Sequence, residues 1–288
     1  MLNQRVAFIG GGHITEIILK ALATNTVIAA DQIVVSDPNT DRLDHLRNTY
    51  GVATLSSNQA AVSTANYVFV NVLPQVVGAV IEELCRTPFP SNKVIISLAA
   101  GIPIDRYKCL GEEVPVIRAL PNPPSQIGMG IIAIAFNSWV TKKQIEEVSI
   151  LFSALGEHVV LNESQINAVT ALSTPAIVYL FFQALVDAGV RAGLDSRTST
   201  KIVSQTIIGA MEVWRRRQLS PQELLSEAST PGGISVECLF TLEKHAFRAA
   251  LSEAIHNGAS KASGFASSLT LFFFSWMAMI TCWTFLKS

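Results

Sequence analysis

Two glycine turns hold the residues best placed for chemistry. The run Ser229-Thr230-Pro231-Gly232-Gly233-Ile234-Ser235 lies between two helical stretches. A Pro-Gly-Gly break followed by a hydroxyl residue sets unpaired backbone N–H groups and a side-chain donor at the start of a helix. Such termini attract anions, because the first N–H groups have no partner and the dipole is positive there. Taken alone, Pro-Gly-Gly is only a turn. The second run, Gly10-Gly11-Gly12-His13-Ile14-Thr15, follows the apolar stretch Val6–Ile9 and opens a helical pattern. That is the context a dinucleotide fingerprint requires. Gly10 permits the tight turn and Gly12 lets a pyrophosphate approach the backbone. The third position, normally Gly or Ala, is Thr15, which is expected to crowd the helix–strand packing without blocking phosphates.

Further candidates sit at the ends of predicted strands. Ser36-Asp37 follows Ile33-Val34-Val35, and an acid there can accept hydrogen bonds from ribose hydroxyls, a lean towards NAD. Asp37 equally suits the cap of a helix starting near Thr40. Leu73-Pro74 follows Tyr67–Val70, and Ala99-Ala100-Gly101 follows Val94–Leu98 with residues small enough for a nicotinamide to lie on backbone. Asn122 follows Val116–Leu120 in a proline-rich loop and offers an amide donor and acceptor. Each is an ordinary strand–loop junction when taken singly; their arrival at successive strand ends carries the weight. His13 beside the pyrophosphate reads as a helix-cap or phosphate contact, and no histidine has metal-ligand spacing. No metal site is expected. Cys85, Cys109, Cys238 and Cys282 show no CxxC spacing, so neither zinc nor a disulfide framework is indicated.

These residues need an α/β frame. The strands named above, together with Gly130–Ala135, are nearly continuous apolar runs, as parallel strands covered on both faces should be. Helical stretches such as Thr40–Tyr50 and Gln75–Arg86 alternate with them, which predicts a Rossmann-like doubly wound sheet over residues 1–164. Residues 165–264 turn helical, broken at Thr174-Pro175, at Gly189–Asp195 and at Pro231-Gly232-Gly233. The stretch Pro175–Ala192 is apolar almost all round, so it must be buried on every side. A second subunit is the simplest cover, which makes this an all-helical dimerisation domain. Hydrophobic residues at 49% against 15% charged leave no long disordered tract, and a net charge of −1 gives no case for nucleic acid. The one basic cluster, Arg215-Arg216-Arg217, reads as a solvated helix end.

Six of these segments, in order, resemble the pyrroline-5-carboxylate reductase family: the glycine fingerprint, Ser97–Gly101, Val116–Pro124, Ala168–Ser173, Ala184–Leu194 and Thr230–Leu251. The resemblance covers roughly residues 6–263. It implies an NADPH- or NADH-dependent reduction of the small molecule 1-pyrroline-5-carboxylate to proline, by a homodimer or higher homo-oligomer. Along the cofactor it implies Gly10, Gly12, His13, Ile14, Thr15, Ser36, Asp37, Leu73, Pro74, Ala99, Ala100, Gly101 and Asn122. Around the substrate it implies Ser173, Thr174, Gly232 and Gly233, with the Ser235 hydroxyl on the ring nitrogen as the catalytic contact. The chain departs from the family at Ser173-Thr174-Pro175, where two residues and both glycines of the usual Ser-Gly-Ser-Gly-Pro turn are missing.

Residues 265–288 form an apolar tail, uncharged from Leu269 to Leu286 and near the lower limit for a membrane span. The location expected is cytoplasmic, with membrane contact through residues 269–286 as one reading of the tail; packing on the protein or its oligomer is the other. Two further functions stay open: reduction of another small imine or oxo acid, and a non-catalytic, nucleotide-binding paralogue tethered to a membrane.

Overall fold

Val6-Ala7-Phe8-Ile9 is apolar at every position because both of its faces are covered. Val6 and Phe8 belong to one buried cluster, and Ala7 and Ile9 to the other, on opposite sides of one sheet. Tyr67–Val70 repeats the pattern, with Tyr67 and Phe69 on the first side and Val68 and Val70 on the second. On the first side Phe8 stacks on Phe69 at 4.7 Å between ring centroids, and Phe152 meets Phe69 edge-on at 6.1 Å.

The structure, a computed structural model, describes residues 4–90 and 92–262. Its strands are β1 Val6–Ile9, β2 Ile33–Ser36, β3 Ala53–Leu55, β4 Tyr67–Val70, β5 Val94–Ser97, β6 Val116–Pro121, β7 Gly130–Phe136 and β8 Gly156–Val160. They form one sheet in the order β3-β2-β1-β4-β5-β6-β7-β8. The chain leaves β1 in one direction through β2 and β3, then returns to β1's other side as β4. The carboxyl ends of β1 and β4 therefore flank the switch point where ligands of such sheets bind. Helices α1 His13–Thr24, α2 Thr40–Tyr50, α3 Asn58–Thr64, α4 Pro74–Leu84 and α5 Lys142–Ser153 make the crossovers.

All pairings among these strands are parallel except β6 with β7. The stretch 122–129 between them holds only the short 3-10 helix Pro123–Ile127, too little for a parallel crossover. Elements without a clear apolar pattern escape the sequence reading. β3 is three residues long and partly exposed, and β8 is an edge strand exposed along most of its length.

The described residues divide into two units. The sheet unit runs to Ser173 and includes the stretch from Asn257; the helical unit is Thr174–His256. Helix α6, Ile166–Leu172, belongs with the sheet because Ile166 is fully buried in its second core cluster. The helical unit holds α7 Pro175–Arg191, α8 Ser196–Arg217, α9 Pro221–Glu227 and α10 Ile234–Lys244. The gap between α7 and α8, from Ala192 to Asp195, falls within the expected break Gly189–Asp195; Gly189 itself lies in α7 where Ser199 of α8 comes close, and Ser199 Oγ donates to the Val186 carbonyl at 2.8 Å. Arg215 and Arg216 pair with Glu212, and Arg217 with Glu227, at the exposed end of α8. The apolar stretch 269–286 lies outside the described residues.

Gly156 has φ +137° and sits against Gly130, so a Cβ there would fall 2.1 Å from the Gly130 carbonyl oxygen. Gly156→Ala is expected to cost about 2–5 kcal/mol through backbone strain and overpacking. The urea midpoint should fall accordingly.

Candidate functional site

At the carboxyl end of β1 the backbone of Gly10-Gly11-Gly12 is held from behind at almost every polar atom. Gly10 takes φ +97°, and a Cβ on it would lie 2.9 Å from the Asn71 carbonyl oxygen. Its N–H donates to the Ser36 carbonyl at 2.8 Å. The Gly11 N–H donates to Asp37 Oδ2 at 2.7 Å, and Asp37 Oδ1 accepts from the Asn39 N–H at 2.9 Å. Arg42 donates from Nε to the Gly11 carbonyl and from Nη2 to the Gly12 carbonyl at 3.3 Å. Thr15 is fully buried, and its hydroxyl donates to the Gly10 carbonyl and accepts from Asn71 Nδ2 at 3.1 Å. The expected crowding at Thr15 is therefore a hydrogen-bonded clamp between the turn and the end of β4. The cap of α2 is Asn39, whose side chain accepts from the Arg42 N–H, and not Asp37.

Arg42 also meets Glu16 at 2.6 Å, and His45 Nε2 lies 2.9 Å from the same carboxylate. The hydrogen bond from His45, followed by that from Arg42, holds the Glu16 carboxyl down at about 2 from its ordinary 4.5. This cluster fixes the first turn of α1 to the first two turns of α2.

In front of the turn the space is open. Nothing lies within 4 Å of where a Gly12 Cβ would be, and Gly12 caps α1 without a side-chain bond. The leading N–H groups of this twelve-residue helix thus meet a cleft of about 810 Å³. Gly10, Gly12, His13 and Ile14 line it, as do Ser36 and Asp37 from β2's end. Leu73 and Pro74 at the start of α4 and Ala99 and Ala100 after β5 complete the set of expected residues found there. Asn71 Oδ1, on the cleft wall, is buried and has no hydrogen-bond partner among the described residues. An open helix N-terminus, backbone that a side chain would obstruct and an unmatched acceptor at the switch point together fit a dinucleotide.

Three expected residues lie elsewhere. Thr15 is behind the turn. Gly101 lines a neighbouring cavity of about 550 Å³ with Pro74, Ala100, Asn167, Thr170 and Lys261. Asn122 spends both ends of its amide on the protein: Nδ2 donates to the Ser173 carbonyl at 3.0 Å, and Oδ1 accepts from the Ile131 N–H at 2.9 Å. It fastens the end of α6 to the start of β7, while Leu120 and Pro121 line the cleft instead. The sequence reading missed Asn71, Asn58 and Glu83. Asn58 donates to Glu83 at 2.7 Å and is hydrogen-bonded to Ser36 Oγ at 2.7 Å along the same wall. Behind the Ala99–Gly101 turn, the buried Tyr107 hydroxyl donates to Ser97 Oγ at 2.8 Å. Arg118 reaches Glu163 Oε1 at 3.2 Å, and that oxygen also accepts the Ile104 N–H at 2.8 Å.

The substrate-side candidates lie at helix ends. Ser173 ends α6, and Thr174 caps α7 by accepting from the Ala176 N–H at 3.5 Å. In the helical unit, Gly232 takes φ +72° and Gly233 is the N-cap of α10 with no side-chain cap bond. Ser235 stands exposed in the first turn of that helix.

The fold and the cleft define a dinucleotide-dependent oxidoreductase. Residues 163–265 match the family model described as pyrroline-5-carboxylate reductase dimerisation, and residues 5–101 match that of the coenzyme F420-dependent NADP oxidoreductases. The pyrroline-5-carboxylate reductase of Synechocystis sp. is 34% identical over 88% of this chain and 95% of its own length, and that of Arabidopsis thaliana 31% identical over 87% and 91%. Among solved structures, a pyrroline-5-carboxylate reductase from Coxiella burnetii superposes with a TM-score of 0.85 at 28% identity, covering 91% of this chain and 98% of that one. The Plasmodium falciparum pyrroline carboxylate reductase with NADP bound gives 0.80 at 26% identity, covering 92% and 99%. This chain belongs to the pyrroline-5-carboxylate reductase family.

Thr15→Val keeps the shape but strands the Gly10 carbonyl and the Asn71 amide. A loss of about 1–3 kcal/mol in stability is expected, with weaker binding of NADPH and NADH alike in fluorescence titrations. The Glu16 bridges act only on the carboxylate, so their contribution is complete above about pH 4.5 and fades as pH falls towards about 2. The stability gap between wild type and Glu16→Gln, followed by denaturant unfolding, should close over that window.

Proposed function

We propose that the protein reduces 1-pyrroline-5-carboxylate to proline, with NADPH as its reductant. The observation that carries this reading is the coincidence of two devices in one member of this family. One is an open, internally braced dinucleotide turn; the other is an uncapped Pro-Gly-Gly helix start followed by a hydroxyl. The chemistry the dinucleotide supplies when bound is hydride transfer to the imine carbon.

The chain's own residues bind and orient. The N–H groups at the start of α1 and the Gly10–Gly12 backbone take the pyrophosphate, with Ser36 towards the adenosine ribose and Asp37 holding the Gly11 N–H behind the turn. Leu73, Pro74, Ala99 and Ala100 line the path to the nicotinamide, and Asn71 Oδ1 is the acceptor on that path. On the substrate side, the backbone around Gly232 and Gly233, together with Ser173 and Thr174, receives the carboxylate. The Ser235 hydroxyl holds the ring nitrogen. A cyclic imine can take up its proton before the hydride arrives, so positioning supplies most of what the reaction requires.

The protein is a homo-oligomer acting on a small molecule, in keeping with its dimerisation domain. In a single chain Val178, Tyr179, Leu180 and Phe181 of α7 are exposed, an apolar surface running round the helix that association would cover. The segment Glu163–Arg191 has the length and apolarity of a membrane span, but it is divided at Thr174-Pro175 and falls within the dimerisation match. A cytoplasmic location accompanies this reading, and the relatives lend no support to membrane contact by residues 269–286.

A second reading, another small imine or oxo acid as substrate, draws on Thr174 serving as a helix cap where the family has glycines. NADPH oxidation with pyrroline-5-carboxylate separates the two. Turnover by the native chain supports the proline reading. Silence in the native chain, with activity once Gly-Ser-Gly is restored between Ser173 and Pro175, supports the second. Ser235→Ala should lower kcat/KM for the imine by about 10- to 100-fold, the loss of one hydrogen bond to a charged group. NADPH affinity should be unchanged, and Ser235→Thr should recover most of the activity.

A further inference from the structure

Cys85 and Cys109 stand 24 positions apart in sequence, yet their sulfurs meet at 3.0 Å, with the Cys85 thiol donating to Cys109 Sγ. Cys85 caps the end of α4, and Cys109 lies in the 3-10 helix Ile104–Leu110. Both are exposed, so a small reagent can reach them. A disulfide needs its sulfurs at about 2.05 Å, about 1 Å closer than they stand. Cys85 is the cap residue just past α4, and Cys109 sits one residue before the end of a short 3-10 helix, so closure falls on the ends of two elements.

We propose that Cys85 and Cys109 form a redox-reactive pair that closes to an intrachain disulfide on meeting a low-molecular-weight disulfide. The Cys109 thiolate attacks one sulfur of the reagent, breaking its S–S bond, releasing one reagent thiolate and forming a mixed disulfide. Cys85 gives up its proton and attacks Cys109 Sγ, which expels the second reagent thiolate. Two protein thiols are oxidised and one small disulfide is reduced to two thiols. The loop so closed contains β5 and the Ala99–Gly101 turn, and α4 begins at the Leu73-Pro74 wall of the cleft. The bond therefore joins two segments whose other ends meet at the cofactor edge.

The test exposes the full-length protein to oxidised glutathione, followed by alkylation and peptide mass mapping without reduction. The expected result is a Cys85 peptide linked to a Cys109 peptide within one chain, two hydrogens lighter than the free pair and released by reductant. Neither cysteine should retain glutathione. In Cys85→Ser, which cannot resolve the intermediate, Cys109 should retain the glutathione adduct. Separate adducts on both cysteines of the wild type would overturn the proposal. So would two thiols that still alkylate as in reduced protein, or a link joining different chains in a mixed-isotope sample.

Discussion

A glycine turn that receives phosphates must leave its outward N–H groups free while every other polar group of the same backbone finds a partner. Here that division is made by three side chains from three elements. Asp37, after β2, takes the Gly11 N–H; Arg42, from α2, takes the Gly11 and Gly12 carbonyls; Thr15, from α1, takes the Gly10 carbonyl. These groups are satisfied internally, and the start of α1 faces the cleft uncapped. The rest of the sheet unit serves that arrangement. The β1–β4 switch point opens the space, and Asn71 at the end of β4 ties Thr15 to the cleft wall.

The helical unit is built on a different constraint. A helix as apolar as α7 has too much uncovered surface for one chain, and association is how such a surface leaves water. The same unit supplies the start of α10, where Gly233 caps the helix without a side-chain bond. The dimerisation match, residues 163–265, takes in both α7 and the Pro-Gly-Gly run.

Much of this was legible in the sequence, for identifiable reasons. β1, β2, β4, β5 and β6 announce themselves because strands covered on both faces are apolar at nearly every position, and the glycine fingerprint stands directly after the first of them. β3 and β8 lacked that signal because they are edge strands with exposed positions. Residue type was a weaker guide to hydrogen-bond partners. Thr15 looked like an obstruction because its size was legible and the Gly10 carbonyl beneath it was not. Asn122 looked like a free amide because the Ser173 carbonyl and the Ile131 N–H are brought to it only by folding. Asn71 carried no motif beyond its place at a strand end, which would have been enough to include it. The approach of Cys85 to Cys109 arises from packing between segments on either side of β5 and leaves no spacing to read.

Asp37 acts inwards, holding the Gly11 N–H of the glycine turn at 2.7 Å. Binding of NADH and NADPH to Asp37→Ala, measured by fluorescence titration beside wild type, tests it most directly. Loss of the turn's acceptor should weaken both cofactors by a similar factor. Weaker NADH binding with tighter NADPH binding would contradict the claim, because it would mean that the carboxylate's main effect is to repel the 2′-phosphate.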